Sequence, residues 1–155
     1  MDFDSEYPAR CAELARRFYR DDKLNCAEAS FRAIMEGTGD PCPPELVRAA
    51  TGFGGGIGRS GCACGILTGS IIAAGMLFGR TEETGRPPKR CMALSHRIHD
   101  AFKELNGATC CRVLHRGLTM DTPEQRAACA ERTGTSVEAI ARLIMEEYLK
   151  DRPAD

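Results

Sequence analysis

Cysteine is the residue through which this sequence offers the most chemistry, and five of its nine cysteines stand where a helix is expected to begin. Cys62 and Cys64 form a C-x-C at the junction between a glycine-rich stretch, TGFGGGIGRSG, and an uncharged run. Cys26 follows Asn25, and the adjacent Cys110 and Cys111 precede a short helix that Thr109 would cap. Free amides and the helix dipole stabilise negative charge in a first turn, so a thiol there is expected to ionise below its free value of about 8.5. Cysteine that only fills a core has no reason to gather at helix starts. On this reading Cys64 leads, with Cys62 as its neighbour.

The remaining cysteines read differently. Cys11 and Cys91 lie on the apolar faces of their own helices, as small buried hydrophobes do. Cys42 sits in a proline-rich turn and is read as incidental, while Cys129, in AACAERTG, falls well inside a helix. There is no C-x-x-C, which removes thioredoxin-type dithiols, most zinc ribbons and haem attachment. His96 and His99 share a helix face opposite Leu94 and Phe102 and read as solvated. His115, close after Cys111, is a secondary candidate as ligand or supporting group.

The elements that must hold these thiols are helical. No stretch alternates like a half-buried strand, so the expectation is an all-α fold, one compact domain over residues 1–155, with about seven helices around a central uncharged, glycine-rich one. A first helix over 8–20 puts Cys11, Leu14, Ala15 and Phe18 on one face. Asn25 and Glu28 form a capping box for a second. PPELVRAA is a short helix opened by proline, residues 62–79 are the uncharged helix, and GRTEETGRPP is a polar loop. In KRCMALSHRIHDAFKELNG, Cys91, Leu94, Ile98, Phe102 and Leu105 share an arc and Gly107 is the stop. A short helix spans 110–115. Two helices close the chain, one begun by Thr122, Pro123 and Gln125 and another by Thr135 with Glu138. DRPAD is the tail.

The glycine-rich stretch has three readings. Gly56, Gly58 and Gly61 match G-x-G-x-x-G, but a helix rather than a strand precedes them and no G-K-[ST] follows, so a dinucleotide cradle is rejected; Arg59 at a helix start could still hold a small anion. Residues 60–79 carry no charge, yet their glycines, serines and cysteines argue for a buried helix and against a membrane span. Gly65, Gly69 and Ala73 recur every four residues, leaving a face that another backbone, a cofactor or a second subunit of a homodimer could approach. The thiol reading remains.

Bulk properties narrow the partners. The chain has 155 residues, 28% of them charged, and a net charge of -1, so no basic excess draws it to nucleic acid or anionic lipid. MDFDSEYPAR lacks the features of a secretion signal, and an odd cysteine count in a chain able to build a core argues against a disulfide framework. A cytoplasmic location is expected.

NCAEA, then GFGGGIGRSG leading into CGILTG, then CRVL, then ACAERTG resembles the C-GCAxxG-C-C family over about residues 24–130, a group of small proteins described in terms of redox activity. The resemblance places that family's cysteines on Cys26, Cys64, Cys111 and Cys129, with Ile66 where the family has alanine and Cys110 competing with Cys111. It implies an all-α fold, redox or metal chemistry, an unidentified redox partner and a link to transporter systems. Four convergent thiolates could hold an iron–sulfur cluster or zinc, with Gly54, Gly55, Gly56 and Gly65 letting backbone approach the sulfurs, and could serve electron transfer or redox sensing. Reversible disulfides are the metal-free alternative, and a helical interaction protein with buried cysteines is the non-catalytic one.

Overall fold

The computed structural model describes residues 1–83, 85–86 and 88–151. Thr84 and Pro87 of the expected polar loop and most of the DRPAD tail lie outside them. Among the described residues seven α-helices form the fold: α1 (Tyr7–Arg20), α2 (Cys26–Glu36), α3 (Pro44–Arg48), α4 (Gly65–Phe78), α5 (Lys89–Asn106), α6 (Cys111–Leu114) and α7 (Pro123–Leu149). A 3-10 turn spans Thr51–Phe53, and among the described residues the only extended pairing is one isolated antiparallel bridge, Ala63 to Cys110.

The apolar stripes read from the sequence become the packing surfaces. Cys11, Ala15 and Phe18 of α1 are fully buried and pack with α7, whose Val137, Ile140, Ala141 and Ile144 face the same core. At its open end, Phe3 stacks on Tyr148 with ring centroids 4.1 Å apart. On α5, Leu94, Ile98 and Phe102 are buried, but Leu105 is exposed: the stripe outlasts the neighbour it packs on.

α4 touches α2, α5 and α7 and so occupies the middle of the bundle. Its glycine face is filled within the chain. A Cβ on Gly69 would stand 2.2 Å from the carbonyl oxygen of Ala27, and one on Gly65 would stand 2.4 Å from the Cys26 sulfur. Only glycine permits an approach of that kind. The Gly65–Gly69 stripe is therefore not a surface for a second copy, as the homodimer expectation required. The helix also begins at Gly65, with Cys64 as N-cap, rather than at Cys62.

The end of the chain departs further from expectation. Instead of two helices there is one of 27 residues, α7. The Thr135 hydroxyl, expected to cap a new helix, donates to the Glu131 carbonyl 3.0 Å away in its own helix. Gly134 lies inside the helix, and its missing side chain is where Arg16 of α1 lies: a Cβ there would be 2.4 Å from the guanidinium carbon. Tertiary packing outweighs the local start signal at Thr135.

Candidate functional site

Four helix-linked segments bring cysteines to one place. Asn25 caps α2 as expected, its side chain accepting from the amides of Ala27 and Glu28 at 3.0 Å while Glu28 Oε2 accepts from the Asn25 amide at 2.9 Å. That fixes Cys26 as the first residue of α2. Cys64 and Cys111 are registered against each other by backbone: the Cys64 amide donates to the Thr109 carbonyl at 2.8 Å and the Cys111 amide to the Cys62 carbonyl at 2.7 Å. Cys110, not Thr109, is the N-cap of α6, because the extended bridge to Ala63 consumes that position. Cys129 comes from the second turn of α7.

Between α3 and α4 the chain makes an unusual loop. Gly55, Gly56, Ile57, Gly58 and Arg59 all have positive φ, between 55° and 72°, and Gly61 follows at 70°. Two of these are not glycine, and each costs about 1–2 kcal/mol in this left-handed conformation. The loop lies directly over the cysteines. A Cβ on Gly56 would meet the Cys111 Cβ at 2.8 Å, one on Gly54 would meet Asn25 at 2.7 Å, and the Gly55 amide donates to the Cys26 sulfur.

Cys26, Cys64, Cys111 and Cys129 all line a single cavity of about 330 Å³, together with Tyr19, His115 and Gln125. Each of the four is nearly buried and none is in a disulfide. Cys62, exposed, and Cys110, half-buried, instead line a separate shallow hollow with Arg112 and Val113. Cys11 is buried on its helix, Cys91 is half-buried, and Cys42, read as incidental, is buried as well.

The electrostatics of the cavity reverse the helix-start expectation. Cys64 does receive the amides of Ile66 and Leu67, yet burial dominates and pushes its thiol up to about 12. Cys26 is also held protonated, first because its thiol is hydrogen-bonded to Cys129 and then by burial. The thiolate is Cys129. Its sulfur receives the Cys26 thiol, then the His115 ring and the Tyr19 hydroxyl, and these donors hold it well below the usual thiol range despite its burial. His115 is raised in turn to about 9, by its hydrogen bonds to Cys111 and Cys129. An imidazolium and a thiolate therefore face each other at neutral pH, the arrangement that makes a cysteine nucleophilic.

His115 is the C-cap residue of α6 and 6% exposed, and its Nδ1 is buried without a hydrogen-bond partner. Tyr19 escaped the sequence reading altogether: it sits near the end of α1, and nothing in its spacing marks it. His96 and His99 pair with Asp100 on the exposed face of α5, as expected. Among the described residues, no three His, Cys, Asp or Glu side chains come together as a group able to hold a metal ion. No helix among them is long and apolar enough to cross a membrane.

The comparisons agree with the motif order. The model of a family described as "Putative redox-active protein (C_GCAxxG_C_C)" matches residues 24–143, which include all four cavity cysteines and His115. A protein of Archaeoglobus fulgidus described as "Uncharacterized protein" is 36% identical over 125 residues, covering 76% of this chain and 83% of its own. No solved structure matches the chain.

Proposed function

This chain belongs to the C_GCAxxG_C_C family, and from that premise we propose that its redox chemistry is metal-free dithiol–disulfide exchange between Cys129 and Cys26. The observation that carries this reading is the Cys129 sulfur, joined to the Cys26 thiol and facing His115 within one cavity. The Cys129 thiolate attacks one sulfur of an incoming low-molecular-weight disulfide. The S–S bond breaks, and the departing thiolate takes a proton from the His115 imidazolium. Neutral His115 then takes up the Cys26 proton as the Cys26 sulfur attacks Cys129, closing a Cys26–Cys129 disulfide. A second small thiol leaves with that proton, so two electrons pass from the protein dithiol to the oxidant.

An iron–sulfur cluster or zinc would draw on the same four sulfurs. Cys129 has three hydrogen-bond donors on its sulfur, an arrangement suited to a bare thiolate. No step here runs through a metal.

The test is direct. Anaerobically purified protein is oxidised with a small disulfide, its free thiols are blocked, and the linkages are mapped by mass spectrometry. A Cys26–Cys129 linkage, reversed by dithiothreitol and absent from Cys129→Ser, is expected. Stoichiometric iron and sulfide or zinc in the starting material, or four thiols inert to every disulfide tried, would sink the reading.

A further inference from the structure

A second cavity, of about 480 Å³, adjoins the thiol cavity and shares Cys111 and His115 with it. Its charged lining is Arg59, Arg112 and Arg116, and no acidic side chain lines it among the described residues. Arg59 is paired with Asp121, and Arg112 donates to the Ser60 carbonyl at 2.9 Å. The Arg116 guanidinium has no partner among the described residues. Val113, Leu118 and Met120, each about two-fifths exposed, give the lining an apolar part. An unpaired guanidinium over an apolar floor, beside a buried imidazole with an unpartnered Nδ1, is a place for an anion carried on a short carbon chain.

We infer that this cavity recognises the substrate's anionic end: the natural oxidant is a small disulfide bearing carboxylates, held by Arg116 and Arg112 with its sulfurs directed across Cys111 and His115 into the thiol cavity. This rests on the dithiol reading and adds the charge class. The chemistry is the exchange already written, with the carboxylates taking no part in bond making. The cavity joins the two halves of recognition, since the same His115 that hands a proton to the leaving thiolate also borders the arginines.

Three disulfides of similar length and different charge separate the possibilities: 3,3′-dithiodipropionate, bis(2-hydroxyethyl) disulfide and cystamine. Rates of oxidation of the fully reduced protein are each divided by the rate for a free small thiol, which removes intrinsic reactivity. The dianion is expected to exceed the neutral reagent about tenfold, the dication to fall below it, and the spread to shrink in high salt. Arg116→Gln should remove most of the dianion's advantage over the neutral reagent. Arg112→Gln, which also loses the Ser60 contact, provides a second variant read by the same ratio. Equal normalised rates for all three reagents, or an Arg116→Gln ratio unchanged from wild type, overturn the inference while leaving dithiol exchange standing. Failure of all three to oxidise Cys26 and Cys129 overturns both.

Discussion

Cys129 ionises because donors from α1, α2 and the end of α6 meet its sulfur. His115 is the one whose protonation can be altered without touching a thiol. Native-state alkylation of Cys129 by iodoacetamide, followed by peptide mapping, is expected to hold its rate from about pH 8 down to about pH 6, where an ordinary thiol slows about tenfold per unit. The sign follows from the lowered pKa: the thiolate persists on the acid side and is lost only when pH falls through the depressed value. On the alkaline side, His115 gives up its proton as pH rises through about 9, and the thiolate loses its cationic donor. His115→Gln removes that donor throughout, so its acid inflection should move up by about one unit or more, which is about 1.4 kcal/mol per unit. A wild-type inflection at an ordinary thiol position would contradict the assignment. The sequence made Cys26 and Cys64 legible through their helix starts, but the charge expected there goes to Cys129. Local amides act on a thiol over one turn, whereas burial and partners brought from Tyr19 and His115 act through the tertiary fold, and no spacing along the chain reports them.

The elements around the site are held by close approaches that make single glycines unequal. Gly69 and Gly75 both lie inside α4, yet a Cβ on Gly69 would strike the Ala27 carbonyl at 2.2 Å and one on Gly75 would meet nothing within 4 Å. Gly69→Ala must push α2 away from α4 or leave the carbonyl overlapped, and should lower stability by about 2 kcal/mol or more. Gly75→Ala restores a side chain to an unobstructed helix interior and should raise stability by about 0.5–1 kcal/mol. Urea denaturation of the reduced proteins measures both, and equal signs for the two would refute this account of the helix contact. Element positions were legible wherever a cap was local: Asn25 with Glu28, Pro44, Gly107 and Thr122 all stand where the sequence placed them. They were not legible where a local signal competed with packing. Thr135 with Glu138 spells a helix start, but the space beside Gly134 belongs to Arg16, and breaking α7 there would expose Thr133, Ser136 and Val137. The left-handed run from Gly55 to Arg59 was equally hidden, because Ile57 and Arg59 adopt a conformation their own chemistry opposes.

At the scale of the molecule, α2 and α7 belong to opposite ends of the chain and meet at the cysteine cavity. The all-α class and the single bundle followed from periodicity alone, since every apolar stripe needs a partner and a chain of this size provides one core to receive them all. What periodicity does not reveal is that the two ends are joined through sulfur, and this links oxidation to folding. A Cys26–Cys129 disulfide would close a loop of about 100 residues, and the loss of denatured-state entropy stabilises the oxidised form by about 4–5 kcal/mol in the chain-entropy description. Oxidation also removes the thiolate–imidazolium pair, whose contribution disappears with the charge on Cys129, so the net gain should be smaller, about 2 kcal/mol or more. Oxidised protein should therefore unfold at a higher urea concentration than the reduced form at pH 7, and the difference should vanish in Cys26→Ser, which cannot close the bridge. By linkage, whatever stabilises the folded bundle more in one redox state shifts the equilibrium of exchange toward that state. A reduced form as stable as the oxidised one would mean that the bridge strains α2 against α7 by as much as it restricts the unfolded chain.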